Sequence, residues 1–319
     1  MSKIDITALG ELLVDFTPAG LSKQGMRLFE QNPGGAPANM LTAAAKLGMK
    51  TAFIGKVGQD MHGKFLRDTL KEEGINIDNL ILDERFFTTL AFVTLHDNGK
   101  REFAFARKPG ADTNLCMQEI DKELLKNTRV FHVGSLSLTN DPSRTATYEA
   151  VNYAKMQGTL ISYDPNYREA LWDDEETAKV RMQSLIPYVD IMKISNEETA
   201  LLTPYEEPKA ALEYLLRKGI KLVAITLGVD GTLIGNAQAQ VLVKGYNVSA
   251  VDTTGAGDSF WGGFISSFLK ERTNPEEMSK GQLLKCGRVG NAVASLCVEK
   301  RGGISSMPGK DEVLARLMS

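Results

Sequence analysis

Short apolar runs alternate with helical segments along nearly the whole 319-residue chain, and no low-complexity linker separates them. Residues 4–9, 51–57, 130–133, 160–163, 191–194 and 222–226 read as strands. Residues 36–47 and 62–73 read as helices, each stopped by a glycine, Gly48 and Gly74, at the C-cap. Strands that are apolar throughout, with helices between them, must be covered on both faces. The expected fold is therefore α/β: a doubly wound, mostly parallel sheet within a single domain over residues 1–319. A hydrophobic content of 43% supplies enough apolar surface for the core of such a domain.

Two stretches break the alternation. Residues 16–31 and 88–106 are extended and partly polar, with no helix inside them. In the second, Asn98-Gly99 stands between two runs that alternate in polarity, a strong hairpin signal. These strands are expected to form a small β-sheet lid, inserted at about 12–32 and 86–108, and to close over a site so that water is excluded.

The balance of 37 basic against 40 acidic residues gives no support to a nucleic-acid-binding surface. Cys116, Cys286 and Cys297 are odd in number and lack histidines at metal-ligand spacing, so reduced thiols are expected. No leader segment is visible, and no apolar stretch is long enough to span a bilayer. A cytoplasmic protein without a membrane partner is expected. His62, His96 and His132 have no partner that would make any of them a catalytic base, and Phe260, Phe264 and Phe268 read as one buried helix face.

Chemistry concentrates in Asp252-Thr253-Thr254-Gly255-Ala256-Gly257-Asp258, at the junction of a strand and a helix. The small residues Gly255, Ala256 and Gly257 let backbone amides converge into an anion-binding nest at the helix N-terminus. A carboxylate beside a phosphate cradle repels its ligand, unless it serves to take a proton from a hydroxyl that attacks the phosphate. The run therefore points to phosphoryl transfer, with Asp258 as general base. Gly34-Gly35-Ala36-Pro37-Ala38-Asn39 opens the first long helix and could present Asn39 to a polyol, although it also reads as a plain loop-to-helix junction. A Rossmann dehydrogenase is disfavoured because the first strand is followed by Gly10-Glu11-Leu12-Leu13, with one glycine where three are needed; no Walker sequence occurs.

Taken together, the two glycine motifs resemble the two signatures of the ribokinase-like (PfkB) carbohydrate kinases. Asp164-Pro165-Asn166-Tyr167-Arg168, Lys193-Ile194-Ser195-Asn196-Glu197-Glu198 and Thr226-Leu227-Gly228-Val229-Asp230-Gly231 match intervening blocks in order. Within that family the chain is most similar to fructokinases. The resemblance implies a sugar partner held by Asp15, Gly34, Gly35 and Asn39, and covered by Phe105 and Arg107 from the lid. It implies ATP bound along Ser195, Thr226, Gly228, Gly231, Gly257 and Asn291, with Arg168 on the phosphates. Glu198 would act on Mg²⁺ through water. Asp252, Thr254, Cys297, Lys300, Gly302 and Ser306 would form a K⁺ loop beneath the nest. Serine at position 195 departs from the ribokinase pattern and leaves open whether Ser195 or Asn196 joins the metal and phosphate network. A 2-keto-3-deoxygluconate kinase, with Arg101, Arg107 or Lys108 facing a sugar acid, a ribokinase-type enzyme and a non-catalytic sugar sensor remain alternatives. A homodimer through the lid edges is expected as one possible assembly.

Overall fold

In strand β1 (Ile4–Leu9), Ile6 and Ala8 belong to one apolar cluster and Leu9 to another, so the strand is buried on both faces. The computed structural model describes residues 3–95 and 101–319. The expected Asn98-Gly99 turn and His96 lie outside the described residues.

From β1 the chain enters two strands of a second sheet, β2 (Leu13–Leu21) and β3 (Arg27–Gly34), and then helix α1 (Ala36–Lys46). Next come β4 (Thr51–Gly58), α2 (Met61–Glu72) and β5 (Asn76–Asp83), then β6 (Leu90–Leu95) and β7 (Arg101–Ala106). The short α3 (Lys122–Lys126) leads to β8 (Thr128–Val133), and α4 (Ser143–Met156) to β9 (Leu160–Tyr163). Helix α5 (Glu175–Ser184) precedes β10 (Ile191–Ser195); α6 (Thr199–Leu202) and α7 (Pro208–Arg217) precede β11 (Leu222–Thr226). The hairpin β12 (Thr232–Asn236) and β13 (Gln240–Val243) is followed by α8 (Ala256–Glu271), α9 (Lys280–Cys297) and α10 (Lys310–Met318).

Among the described residues the larger sheet has nine strands in the order β13-β12-β11-β10-β9-β8-β1-β4-β5. It is parallel from β5 to β11, and only the β11–β12 and β12–β13 pairings are antiparallel. The second sheet, β3-β2-β6-β7, is built from the two stretches that broke the helical alternation. No helix among the described residues is long and apolar enough to cross a membrane.

Helix α8 is apolar on all sides, and every residue from Asp258 to Leu269 is buried, as expected of a helix at the centre of a layer. Phe260, Trp261 and Phe264 stack on one another. The indole N–H of Trp261 donates to the Ser162 hydroxyl at 2.8 Å, and that hydroxyl also meets His132 Nδ1 at 2.9 Å. Burial pushes the His132 pKa down to about 3, so the ring is a neutral core residue.

Helices α1 and α8 cross at Gly262. A Cβ there would lie 2.5 Å from the Met40 carbonyl oxygen and 2.8 Å from Ala43 Cβ. The missing side chain lets the two helix starts lie side by side, and Asn39 and Asp258 are carried on them. Gly262→Ala is expected to lower the unfolding free energy by about 1–3 kcal/mol in urea denaturation, because overpacking forces α1 away.

Candidate active site

Parallel strands direct their carboxyl ends to one edge of a sheet, and a ligand crevice opens where successive connections leave in opposite directions. Here that point is β1, whose neighbours are β4 on one side and β8 on the other. A cavity of about 700 Å³ opens at this edge. Asp15 and Phe105 line it from the second sheet, and Gly35 and Asn39 from the start of α1. Thr226, Gly228, Gly231, Asn291 and Asp258 also line it, with Arg168, Ser195 and Glu198 at or just beyond the strand ends.

Asp258 sits in the first turn of α8 and is 6% exposed. Its Oδ2 accepts from Asn39 Nδ2 at 2.9 Å, and its Oδ1 accepts from Asn166 Nδ2 at 3.2 Å. A carboxylate receiving one amide N–H on each oxygen is held in its acceptor form. Burial raises its pKa above the usual aspartate value, while Lys193, the Asn39 hydrogen bond and Arg168 work against that rise. Asp15 is likewise pushed up, to about 7, by burial, with Arg168 lowering and Asp252 raising it.

The nest is tied down from below. Gly255, at φ 75°, takes the left-handed conformation that turns the loop into α8. Asp252 Oδ1 accepts from the Thr254 amide and hydroxyl at 2.9 and 2.8 Å, and its Oδ2 accepts from the Gly302 amide at 3.1 Å. Cys297 Sγ lies 3.6 Å from the Thr254 carbonyl and 3.0 Å from the Ser306 hydroxyl, which donates to the Gly303 carbonyl at 2.8 Å. Asp252, Thr254, Cys297, Gly302 and Ser306 thus come together. One part of the expectation changes: the Ala256 amide donates back to the Thr253 carbonyl at 3.2 Å, because the positive φ at Gly255 closes a turn there. Among the described residues, the amides of Gly255 and Gly257 have no such backbone acceptor.

Glu198 is buried and oriented by two backbone amides, Tyr167 at 2.7 Å to Oε1 and Ser195 at 2.8 Å to Oε2. Arg168 is exposed on the cavity wall; it has no carboxylate within ion-pair distance among the described residues, so pairing with Glu169 or Asp173 does not occupy it. Asn291 lines the cavity with its amide spent internally: Nδ2 donates to the Val243 and Lys244 carbonyls, and Oδ1 accepts from Thr232.

Two residues expected at the sugar stand outside the lining. The Arg107 guanidinium is buried away from the cavity lining, where it pairs with Asp112 at 2.7 Å and donates to Thr139 Oγ1 and the Leu136 carbonyl. A cation this close to a buried carboxylate is held there by charge, next to Leu136 and Glu11 of the cavity lining. Gly34 ends β3 behind Asp15 and is not in the lining. Lys300 points its ammonium at Glu312, 2.7 Å away, so its backbone carbonyl is the atom that the expected K⁺ loop would use.

Four residues of the site escaped the sequence reading. Asn166 holds Asp258 from a left-handed backbone at φ 48°, which asparagine tolerates better than most residues; its place after Asp164-Pro165 at a strand end was the available signal. Lys193 and Asp164 form a buried pair beside the nest. Glu11 Oε1 accepts from the Ala36 amide at 2.8 Å and caps α1 from outside the helix, while burial raises its pKa to about 7. Its other oxygen is buried without a partner among the described residues, as is Asn39 Oδ1.

Comparison with known proteins places the chain among carbohydrate kinases. The pattern of the pfkB family carbohydrate kinases matches residues 3–310. Fructokinase-1 of Zea mays is 39% identical over 312 residues, covering 97% of this chain and 96% of that protein. The structure of fructokinase from Vibrio cholerae with fructose, ADP and calcium ion bound superposes with a TM-score of 0.89 at 32% identity, covering 99% of this chain and 100% of that one. Fructokinase from Xylella fastidiosa with bound ATP gives 0.90 at 29% identity, covering 100% and 99%.

The placement of Arg107 has a measurable consequence. Removing one partner of a buried pair leaves an uncompensated charge, so Arg107→Met is expected to lower the unfolding free energy by about 3–5 kcal/mol. Urea denaturation reads this directly, and ligand affinity of the folded variant should stay near that of the parent.

Proposed function

The chain belongs to the pfkB family of carbohydrate kinases, and from that we propose an ATP-dependent fructokinase, converting D-fructose and ATP to D-fructose 6-phosphate and ADP. The enzyme class itself, a sugar phosphotransferase, follows from family membership. The observation that carries the reading is Asp258: a buried carboxylate, fixed by Asn39 and Asn166 within the cavity and one residue beyond the nest.

In this reading Asp258 takes the proton of the sugar 6-hydroxyl as its oxygen attacks the γ-phosphorus in line. The Gly255 and Gly257 amides, aimed before the reaction begins, meet the charge that grows on the transferred group, and Arg168 meets the phosphates from the opposite wall. Asp15, Gly35 and Asn39 hold the sugar; the unpartnered Asn39 Oδ1 is an acceptor that a sugar hydroxyl would satisfy. Phe105 and the second sheet act as the lid that keeps water from competing with the sugar. Thr226, Gly228, Gly231 and Asn291 border the nucleotide end, with Ser195 beside the phosphates.

Glu198 fits magnesium held through water, since its hard carboxylate keeps lone pairs beyond the two backbone amides it accepts. Bound there, the ion would neutralise phosphate charge. The Asp252, Thr254, Cys297, Lys300, Gly302 and Ser306 group offers carbonyl, hydroxyl and a single carboxylate already compensated by N–H donors, a weakly charged oxygen set that suits potassium. Exposed Leu21, Met26, Leu28, Phe29 and Phe92 on the second sheet support pairing of two copies through the lid. Unpaired cysteines, two of them buried, support a reducing, cytoplasmic setting. The commitment of Arg107 to Asp112 weakens the sugar-acid alternative, because it removes a cation that such a substrate would need.

A coupled ADP-release assay with Mg-ATP and K⁺ over fructose, ribose, 2-keto-3-deoxygluconate and glucose tests this. Turnover is expected on fructose, and preferred turnover on another sugar would sink the assignment. Asp258→Asn should lose about 10²–10⁴-fold in kcat. Because the Asp258 pKa is raised, kcat should fall on acidification at a pH above the ordinary aspartate range, as the base becomes protonated. Asp15→Asn should instead raise the KM for fructose about 10-fold or more, the worth of a hydrogen bond to a charged group.

A further inference from the structure

Lys193 stands in β10 with its side chain 5% exposed, paired with Asp164 at 4%. Its Nζ donates to Asp164 Oδ1 at 3.2 Å and Oδ2 at 3.0 Å. An ammonium has three N–H groups, so one is left beyond these two contacts. A Cβ built on Gly257 would lie 2.6 Å from Nζ, which places the ammonium against the middle of the nest, where any side chain at position 257 would have to go. Lys193 also lines the cavity, together with Asp258, Glu198 and Arg168. The nest is meanwhile short of a donor, because the Ala256 amide is turned back to Thr253. Burial favours the neutral amine, yet Asp164, Glu198 and Asp258 outweigh it and keep the group an ammonium, with a pKa above the ordinary lysine value.

We propose that Lys193 is a further catalytic residue, whose ammonium contacts the oxygens of the transferred phosphoryl group while Asp164 holds it against Gly257. This rests on the phosphotransferase reading above. In the step, the sugar oxygen bonds to the γ-phosphorus and its proton passes to Asp258. The bond from the γ-phosphorus to the bridging oxygen breaks, and its electron pair leaves on ADP. Lys193 keeps its proton throughout and supplies a point charge where the backbone offers one amide fewer than the glycine motif suggests. A buried pair is by itself weak support for stability, so neutralising Asp164 is not a sufficient reason to carry a lysine there.

The test compares the two halves of the pair in the full chain, with Mg-ATP and fructose. Wild-type turnover is measured first; its absence on every sugar would overturn the kinase reading, and this proposal with it. With wild-type turnover established, Lys193→Met should lose about 100-fold or more in kcat, the range for removing one donor to developing charge, with the KM for fructose within a few-fold. Asp164→Asn, which leaves the ammonium in place, should lose far less. The double variant Lys193→Met/Asp164→Asn carries no buried unpaired charge and should melt near the parent while remaining as slow as Lys193→Met. Recovery of kcat in the double variant, or equal losses from the two single variants, would show that Lys193 only neutralises Asp164 and would overturn the proposal.

Discussion

The hydrogen bond from Asn39 to Asp258 spans 219 positions of sequence, and most of the site depends on it. It exists because α1 and α8 approach closely at Gly262, where no side chain keeps the Met40 carbonyl and Ala43 at a distance. The same approach brings the double-glycine start of α1 beside the nest at the start of α8. Two helix N-termini, each with unpaired backbone donors, therefore face one cavity. Glu11 takes one of the α1 donors, and the Gly255 and Gly257 amides remain at the other.

Burial and charge are balanced against each other around this cavity. Asp258, Asp164, Glu11 and Asp15 are all pushed up by removal from water. Lys193 opposes this at Asp258 and Asp164, Arg168 at Asp258 and Asp15, and Arg107 at Glu11, while the amides of Asn39 and Asn166 donate to Asp258 directly. A carboxylate raised in pKa yet still held as an acceptor is a stronger proton acceptor than an exposed aspartate, and it retains the orientation the transfer needs. Arg107 shows the opposite solution. Paired with Asp112 and donating to Thr139 and the Leu136 carbonyl, it is fixed in place by its neighbours.

The alternation of apolar runs and helices was enough to foresee a parallel sheet covered on both faces, since a strand with helices on either side has no polar face to show. The second sheet was legible for the complementary reason: its strands lack intervening helices and alternate in polarity. Asp258, Asn39 and Gly35 could be picked out because each lies in a glycine motif that carries a local backbone requirement, Arg168 because it follows a strand end, and Glu198 only through the family resemblance. Arg107 was misread. Its place after a lid strand is visible in the chain, but its partner Asp112 is an ordinary-looking aspartate until the loop folds back on it. Asn166, Lys193 and Asp164 were quoted within matching blocks and given no role, because nothing within a block says which side chain points inward.

What the sequence determined by itself is therefore the order of elements, the positions of the tight turns and the helix N-termini. These follow from interactions within a few residues: apolar periodicity, glycine at positive φ and N-terminal capping. The tertiary structure alone decided which charges meet. The Asp258 carboxylate, the Lys193 ammonium and the amides that flank them come from α1, β9, β10 and α8, and only sheet order and the crossing at Gly262 bring those elements to one place. Coulomb energy and desolvation depend on distance and burial in space, neither of which is written in the spacing along the chain.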